Sequence, residues 1–319
     1  MRSLAFGSIT RPSRRFGPAR YLGRSLGPVA WARYRVTPQE TRDMSTQPQS
    51  AASAAVDLHY EERGGGLPVI IMHGLFGSLA NWRGIAQSLS ANYRVINVDL
   101  RNHGRSPHAP GLDYELLSQD VLALMDRLGV ERAHLLGHSL GGKLGMVLAD
   151  RYPERVARLV VVDIAPKKYP PWHKDVFAAL DAVELATLQS REQARRQMAP
   201  HVFDPDVRAF LAANLEQSEG RWRWRFNLAE LRASYARVSD MPTLSGFYLG
   251  PTLFVRGAQS AYLEAADEPQ IGRDFPKSCI ATLERARHWP HIEDTEGFLA
   301  AVSNFFAEGC EGFPGPRGS

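Results

Sequence analysis

The sequence predicts an α/β protein: a mostly parallel central sheet flanked by helices, with a helical lid inserted before the last strands. Three observations predict it. Short apolar runs of strand length alternate with segments of helical spacing from about residue 56 to residue 165, and that alternation builds parallel sheets covered on both faces. The run Leu67-Pro68-Val69-Ile70-Ile71-Met72 is continuously apolar, as in strands buried on both sides. Finally, Gly137-His138-Ser139-Leu140-Gly141 stands between one strand-like run and one helix-like run.

The elements follow in order. Residues 56–60 read as an edge strand and 67–72 as a buried one. Helical spacing appears across 81–89, and 93–99 is the next strand. In 114–128, Leu117, Val121, Leu124 and Leu128 share one helical face, the stripe that packs on a core. Residues 132–136 form the strand before the Ser139 turn, 142–149 the helix after it, and Val160-Val161-Val162 a further strand. From 166 to 245 the β pattern disappears, and helix-like segments at 177–188, 192–198 and 207–215 precede Arg221-Trp222-Arg223-Trp224-Arg225. We read this stretch as a helical lid, with Trp222 and Trp224 as candidates to line an acyl pocket or to pack the lid. Strands resume at 251–255 and 279–284, and 298–306 closes the domain as an amphipathic helix. The domain is therefore 56–308. The Gly- and Pro-bearing tail, 309–319, is expected to be disordered.

The chemistry gathers at strand ends. A tight turn around Ser139 needs glycines on both sides and holds the residue in strained backbone. The helix that follows turns its free N–H groups toward the hydroxyl. This is a nucleophile elbow. After the 67–72 strand comes His73-Gly74-Leu75-Phe76-Gly77-Ser78. The loop there supplies one oxyanion N–H and the residue after the nucleophile the other, so we assign Leu75 (Phe76 as the near alternative) and Leu140. His73 is expected to border the substrate site. The general base must lie late in the chain. His288 fits, with His291 as its neighbour near the mouth. The acid is less constrained, because Arg256-Gly257-Ala258-Gln259-Ser260 follows the 251–255 strand and holds no carboxylate. Asp163, at the end of its strand, is favoured. Glu230, Ser260 and Asp240 remain open.

Composition bounds the rest. Residues 1–44 hold nine arginines, no lysine and only two acids. The whole chain has a net charge of +4, so residues 45–319 sum to −3. The basic character belongs to a leader of mitochondrial transit type, followed by a polar linker, 45–55. The body shows no basic excess for nucleic acid. Two cysteines, Cys279 and Cys310, do not by themselves indicate a structural disulfide. No run is long enough to span a membrane. Serine-based acyl transfer needs neither metal nor organic cofactor.

These segments recur together, with Asp99-Leu100-Arg101-Asn102-His103-Gly104-Arg105-Ser106-Pro107, Asp163-Ile164-Ala165-Pro166 and Trp224-Arg225-Phe226-Asn227-Leu228. On them the chain, over about 57–308, resembles the α/β-hydrolase superfamily, in a branch of mitochondrial serine hydrolases and bacterial esterases. The resemblance implies hydrolysis of acyl or lipid esters, diacylglycerol included, a mitochondrial matrix location, and association with the 2-oxoglutarate dehydrogenase complex; the alternative is a weakly active or inactive hydrolase-fold protein that binds and protects that complex. The chain departs from that branch at Arg287, where glycine is usual, at Ala229-Glu230, where relatives carry Asp, and at Ala258-Gln259.

Overall fold

The computed structural model describes residues 55–244 and 248–316. The proposed leader, 1–44, lies outside the described residues, as does nearly all of the linker. Among the described residues, seven strands form one sheet: β1 (Tyr60–Arg63), β2 (Pro68–Met72), β3 (Arg94–Val98), β4 (Ala133–His138), β5 (Val156–Val162), and, past a hairpin of β6 (Leu215–Ser218) and β7 (Arg221–Trp224), β8 (Thr252–Gly257) and β9 (Ser278–Leu283). The order across the sheet is β1-β3-β2-β4-β5-β8-β9. Only β1 runs antiparallel to its neighbour.

The helices are α1 (Arg83–Leu89), α2 (Tyr114–Arg127), α3 (Leu140–Arg151), α4 (Lys174–Asp181), α5 (Arg191–Met198), α6 (Pro205–Ala212), α7 (Leu228–Ser239), α8 (Glu268–Asp274), α9 (Pro290–Glu293) and α10 (Thr295–Glu308). The pleat explains the continuous apolar run of β2. Ile70 and Met72 join a core with α2 and α3, while Val69 and Ile71 join the opposite core with α1 and α10. Each such side chain contributes about 1.5–3 kcal/mol when fully buried. Helix α2 starts where Asp113 accepts from the Leu116 N–H at 2.9 Å, with Glu115 in its first turn and Arg127 in its last, charges that suit the helix dipole.

Three expectations are corrected. The lid is not wholly helical, because β6 and β7 pair antiparallel within it. Glu219 and Gly220 both take positive φ between the two strands, as a two-residue hairpin turn requires. The alternation Arg221-Trp222-Arg223-Trp224 was itself a period-two signal. Second, Cys279 and Cys310 form a disulfide. Third, residues 309–316 are ordered against β9: the Ile280 N–H donates to the Pro314 carbonyl at 2.9 Å. The thiols sit 31 positions apart and meet only because the tail folds back. Helix α8 carries no signal that we read in the sequence.

Candidate active site

Strand β4 runs straight into α3, and Ser139 joins them at φ 50°, ψ −111°. A non-glycine residue in that region costs about 1–3 kcal/mol. The surroundings impose it. A Cβ on Gly137 would lie 2.1 Å from the Gly141 carbonyl oxygen, and one on Gly141 would lie 2.2 Å from that of Met72. Ser139 donates its N–H to the Val162 carbonyl at 3.1 Å and accepts from the Lys143 N–H at 3.0 Å. Leu140 is the first residue of α3, so its N–H has no carbonyl one turn earlier and is free for a ligand.

His288 sits in the loop between β9 and α9. His138 Nε2 donates to its carbonyl oxygen at 2.8 Å, the Arg287 N–H next to it donates to Glu293 at 2.7 Å, and the Tyr262 ring stacks on the imidazole at 3.7 Å. His288 Nδ1 lies 2.9 Å from Asp163 Oδ2. A carboxylate only accepts, so Nδ1 carries the proton and Nε2 is left basic. Burial holds the imidazole below the usual histidine range, in the neutral form that a base requires.

Asp163 follows β5 at φ 48°. Its Oδ1 accepts from the Gly257 N–H at 3.0 Å. Its Oδ2 accepts from Ser260 Oγ at 2.5 Å as well as from His288. Burial pushes its pKa up to about 6 against these donors. The structure thus brings together Ser260, Asp163 and His288, with Ser260 facing the carboxylate. Glu230 and Asp240 are placed elsewhere. Glu230 accepts from Ser234 at 2.5 Å, and Asp240 pairs with Lys168 at 2.8 Å.

Ser139 and His288 line one cavity of about 240 Å³, together with Leu75, Trp172, Val176, Phe210, Trp289, Asp204 and Arg287 among others. A second cavity, about 40 Å³, shares Ser139, Leu75, Trp172, His173 and Tyr262 and is otherwise lined by residues that include Leu140, Lys143, Ile164, Tyr169 and Val238. The Phe76 N–H donates to His103 Nε2 at 3.3 Å, which engages one of the two loop amides expected at the oxyanion.

Other expected positions move. His73 does not border the cleft: it is 1 % exposed, bonds the Gly74 carbonyl through Nδ1 at 2.8 Å and accepts the Leu100 N–H at 3.0 Å. His291 is not near the mouth but buried, stacked on Trp82 at 3.9 Å. Trp224 stacks on Phe226 in the core. Trp222 packs beside that core with Arg191 over its ring. Neither tryptophan lines the two cavities. Tyr262, His138 and Lys143 were not foreseen. Tyr262, at least, stands two residues past Ser260 in a loop already singled out.

Lid and base loop are tied together. Arg287 pairs with Asp204 at 2.9 Å and Asp206 at 3.0 Å at the start of α6, and with Glu293 at 3.0 Å.

The family model described as "alpha/beta hydrolase fold" matches residues 68–295. The chain is 38% identical to the "sn-1-specific diacylglycerol lipase ABHD11" of Mus musculus, over 88% of this chain and 92% of that protein. It is 33% identical to "Esterase YbfF" of Escherichia coli (strain K12), over 75% of this chain and 91% of that one. A solved structure, "Marine microorganism esterase", superposes with a TM-score of 0.76 at 33% identity, over 79% of this chain and all of that one.

Proposed function

Because the chain belongs to the alpha/beta hydrolase fold family and is a carboxylic ester hydrolase, we propose that it works through a Ser139–His288–Asp163 triad and a covalent acyl-enzyme. The observation that carries this reading is the hydrogen bond from His288 Nδ1 to Asp163, on the wall of the cavity that also holds the strained Ser139. Ser139 Oγ attacks the ester carbonyl while His288 Nε2 takes its proton. The amides of Leu75 and Leu140 hold the oxyanion, each contributing about 3–4 kcal/mol. Imidazolium then protonates the leaving alkoxide. Water enters, gives its proton to the same nitrogen, and releases the acid. Asp163 keeps the imidazole in its Nδ1–H tautomer and stabilises its charge. Ser260 and the Gly257 amide hold that carboxylate in place.

The substrates are acyl esters, glycerolipids such as diacylglycerol among them. The apolar walls of the larger cavity and the mouse relative's name support that class. The composition of residues 1–44 supports import into the mitochondrial matrix, the compartment in which the resemblance sets the 2-oxoglutarate dehydrogenase complex as a partner. A reporter fused to residues 1–44 that stays in the cytosol would remove the import reading. A fluorophosphonate probe should label the wild type and spare Ser139→Ala; labelling of both would defeat the triad. Profiling against glycerolipid, thioester and short esters then orders the substrates.

A further inference from the structure

Two cavities meet at Ser139, and an ester whose carbonyl carbon sits on its Oγ must send one arm into each. The reaction decides which arm goes where. His288 has to protonate the leaving oxygen, so the alcohol departs on the imidazole's side. Arg287, His288 and Trp289 line only the larger cavity. Leu140, Lys143 and Ile164 line only the smaller one. From this we infer that the pocket of about 40 Å³ lined by Lys143 is the acyl-arm subsite, that it takes short unbranched acyl chains as it stands and the long arm of a glycerolipid only after the end of α7 lifts, and that Lys143 sets this length preference.

The volume argues for short chains. By the same measure the pocket is far smaller than the larger cavity, about 40 Å³ against about 240 Å³. One wall is a latch between core and lid. Lys143 lies one helical turn after Ser139 on α3 and is 2 % exposed. Its Nζ donates to the carbonyls of Ser239 and Asp240, each at 2.9 Å, at the C-terminal end of α7. Burial lowers Lys143 to about 7, and the carbonyl end of the helix favours its ammonium form against that. It also lies 4.7 Å from the Tyr169 ring centroid, and Tyr169 is another wall of the same pocket. Removing the cation would leave the two carbonyls without their charged donor and free the end of α7 to move. A longer acyl chain therefore enters only when that end has lifted away.

The inference rests on the acyl-enzyme reading, and the test separates the two. The full chain is assayed with p-nitrophenyl acetate, butyrate and octanoate, and with acetate esters of methanol, butanol and hexanol. In the wild type, kcat/KM for acetate should exceed that for octanoate by about tenfold or more, while lengthening the alcohol should change it little. Lys143→Met and Val238→Ala, the second widening the same wall without touching the latch, should each raise the octanoate-to-acetate ratio about fivefold or more. A wild type that prefers octanoate, a sensitivity to alcohol length in place of acyl length, or an unchanged ratio in both folded variants would overturn the assignment. If the fluorophosphonate probe fails to label Ser139, the acyl-enzyme reading itself falls. If labelling is intact but the acyl series is flat, only the subsite falls.

Discussion

At Asp163 one buried carboxylate meets Gly257, Ser260 and His288, and two outcomes belong to this residue scale. Asp163→Asn keeps the shape but disturbs the imidazole tautomer, so kcat should fall about 10⁴-fold with an unchanged circular dichroism spectrum; a loss under tenfold would remove Asp163 from the triad. The pH profile is the second. With burial raising Asp163 to about 6, protonation of the Asp163–His288 pair on acidification removes the charge that supports imidazolium, and kcat/KM should fall below pH 6. The two groups titrate as a unit, so the limb reports the pair. Ser260→Ala takes away a donor that favours the ionised carboxylate, and the acid limb should move to higher pH; a limb that stays in place would leave Ser260 without influence on this carboxylate. Legibility at this scale was uneven. The elbow announces itself because its strain demands glycine at fixed offsets. The contact of Asp163 with His288 does not, because it arises where the end of β5 meets the loops after β8 and β9, and no local pattern records that meeting.

Elements were legible where one face repeats. Helix α2 shows its stripe and its Asp113 cap directly, and both have measurable worth. Leu117 is wholly buried, so Leu117→Ala should cost about 3 kcal/mol through lost burial plus a cavity. Asp113→Ala should cost about 1 kcal/mol through the lost cap. Urea denaturation reads both, and a shift of similar size for the two would contradict this account of the helix. The hairpin β6–β7 escaped because its alternating arginines and tryptophans sit amid helical segments. The Cys279–Cys310 bond escaped because it depends on where the tail lies, a long-range fact. The inner strands of the sheet were legible because their runs are largely apolar, whereas the edge strand expected at 56–60 lies at Tyr60–Arg63 and is polar and partly exposed.

The whole molecule carries a set of buried neutral histidines. Burial lowers His73 and His134 to about 4 and His103 and His138 to about 3, and takes His291 well below its ordinary value. All five are shut inside the fold. In the unfolded chain each would titrate near 6.5, so below that pH the unfolded state binds more protons. Their contribution is complete above pH 6.5 and is lost as pH falls toward 4, at up to about 1.4 kcal/mol per pH unit for each histidine. Thermal melts at pH 7.5 and 5.0 should show a clearly lower Tm at pH 5.0; equal values would mean that these rings are protonated in the native state. At the cleft, Arg287 grips the cover through Asp204 and Asp206 while its peptide neighbour, His288, bonds Asp163. Raising the roof at α6 would therefore part these ion pairs first, beside the imidazole and not at it.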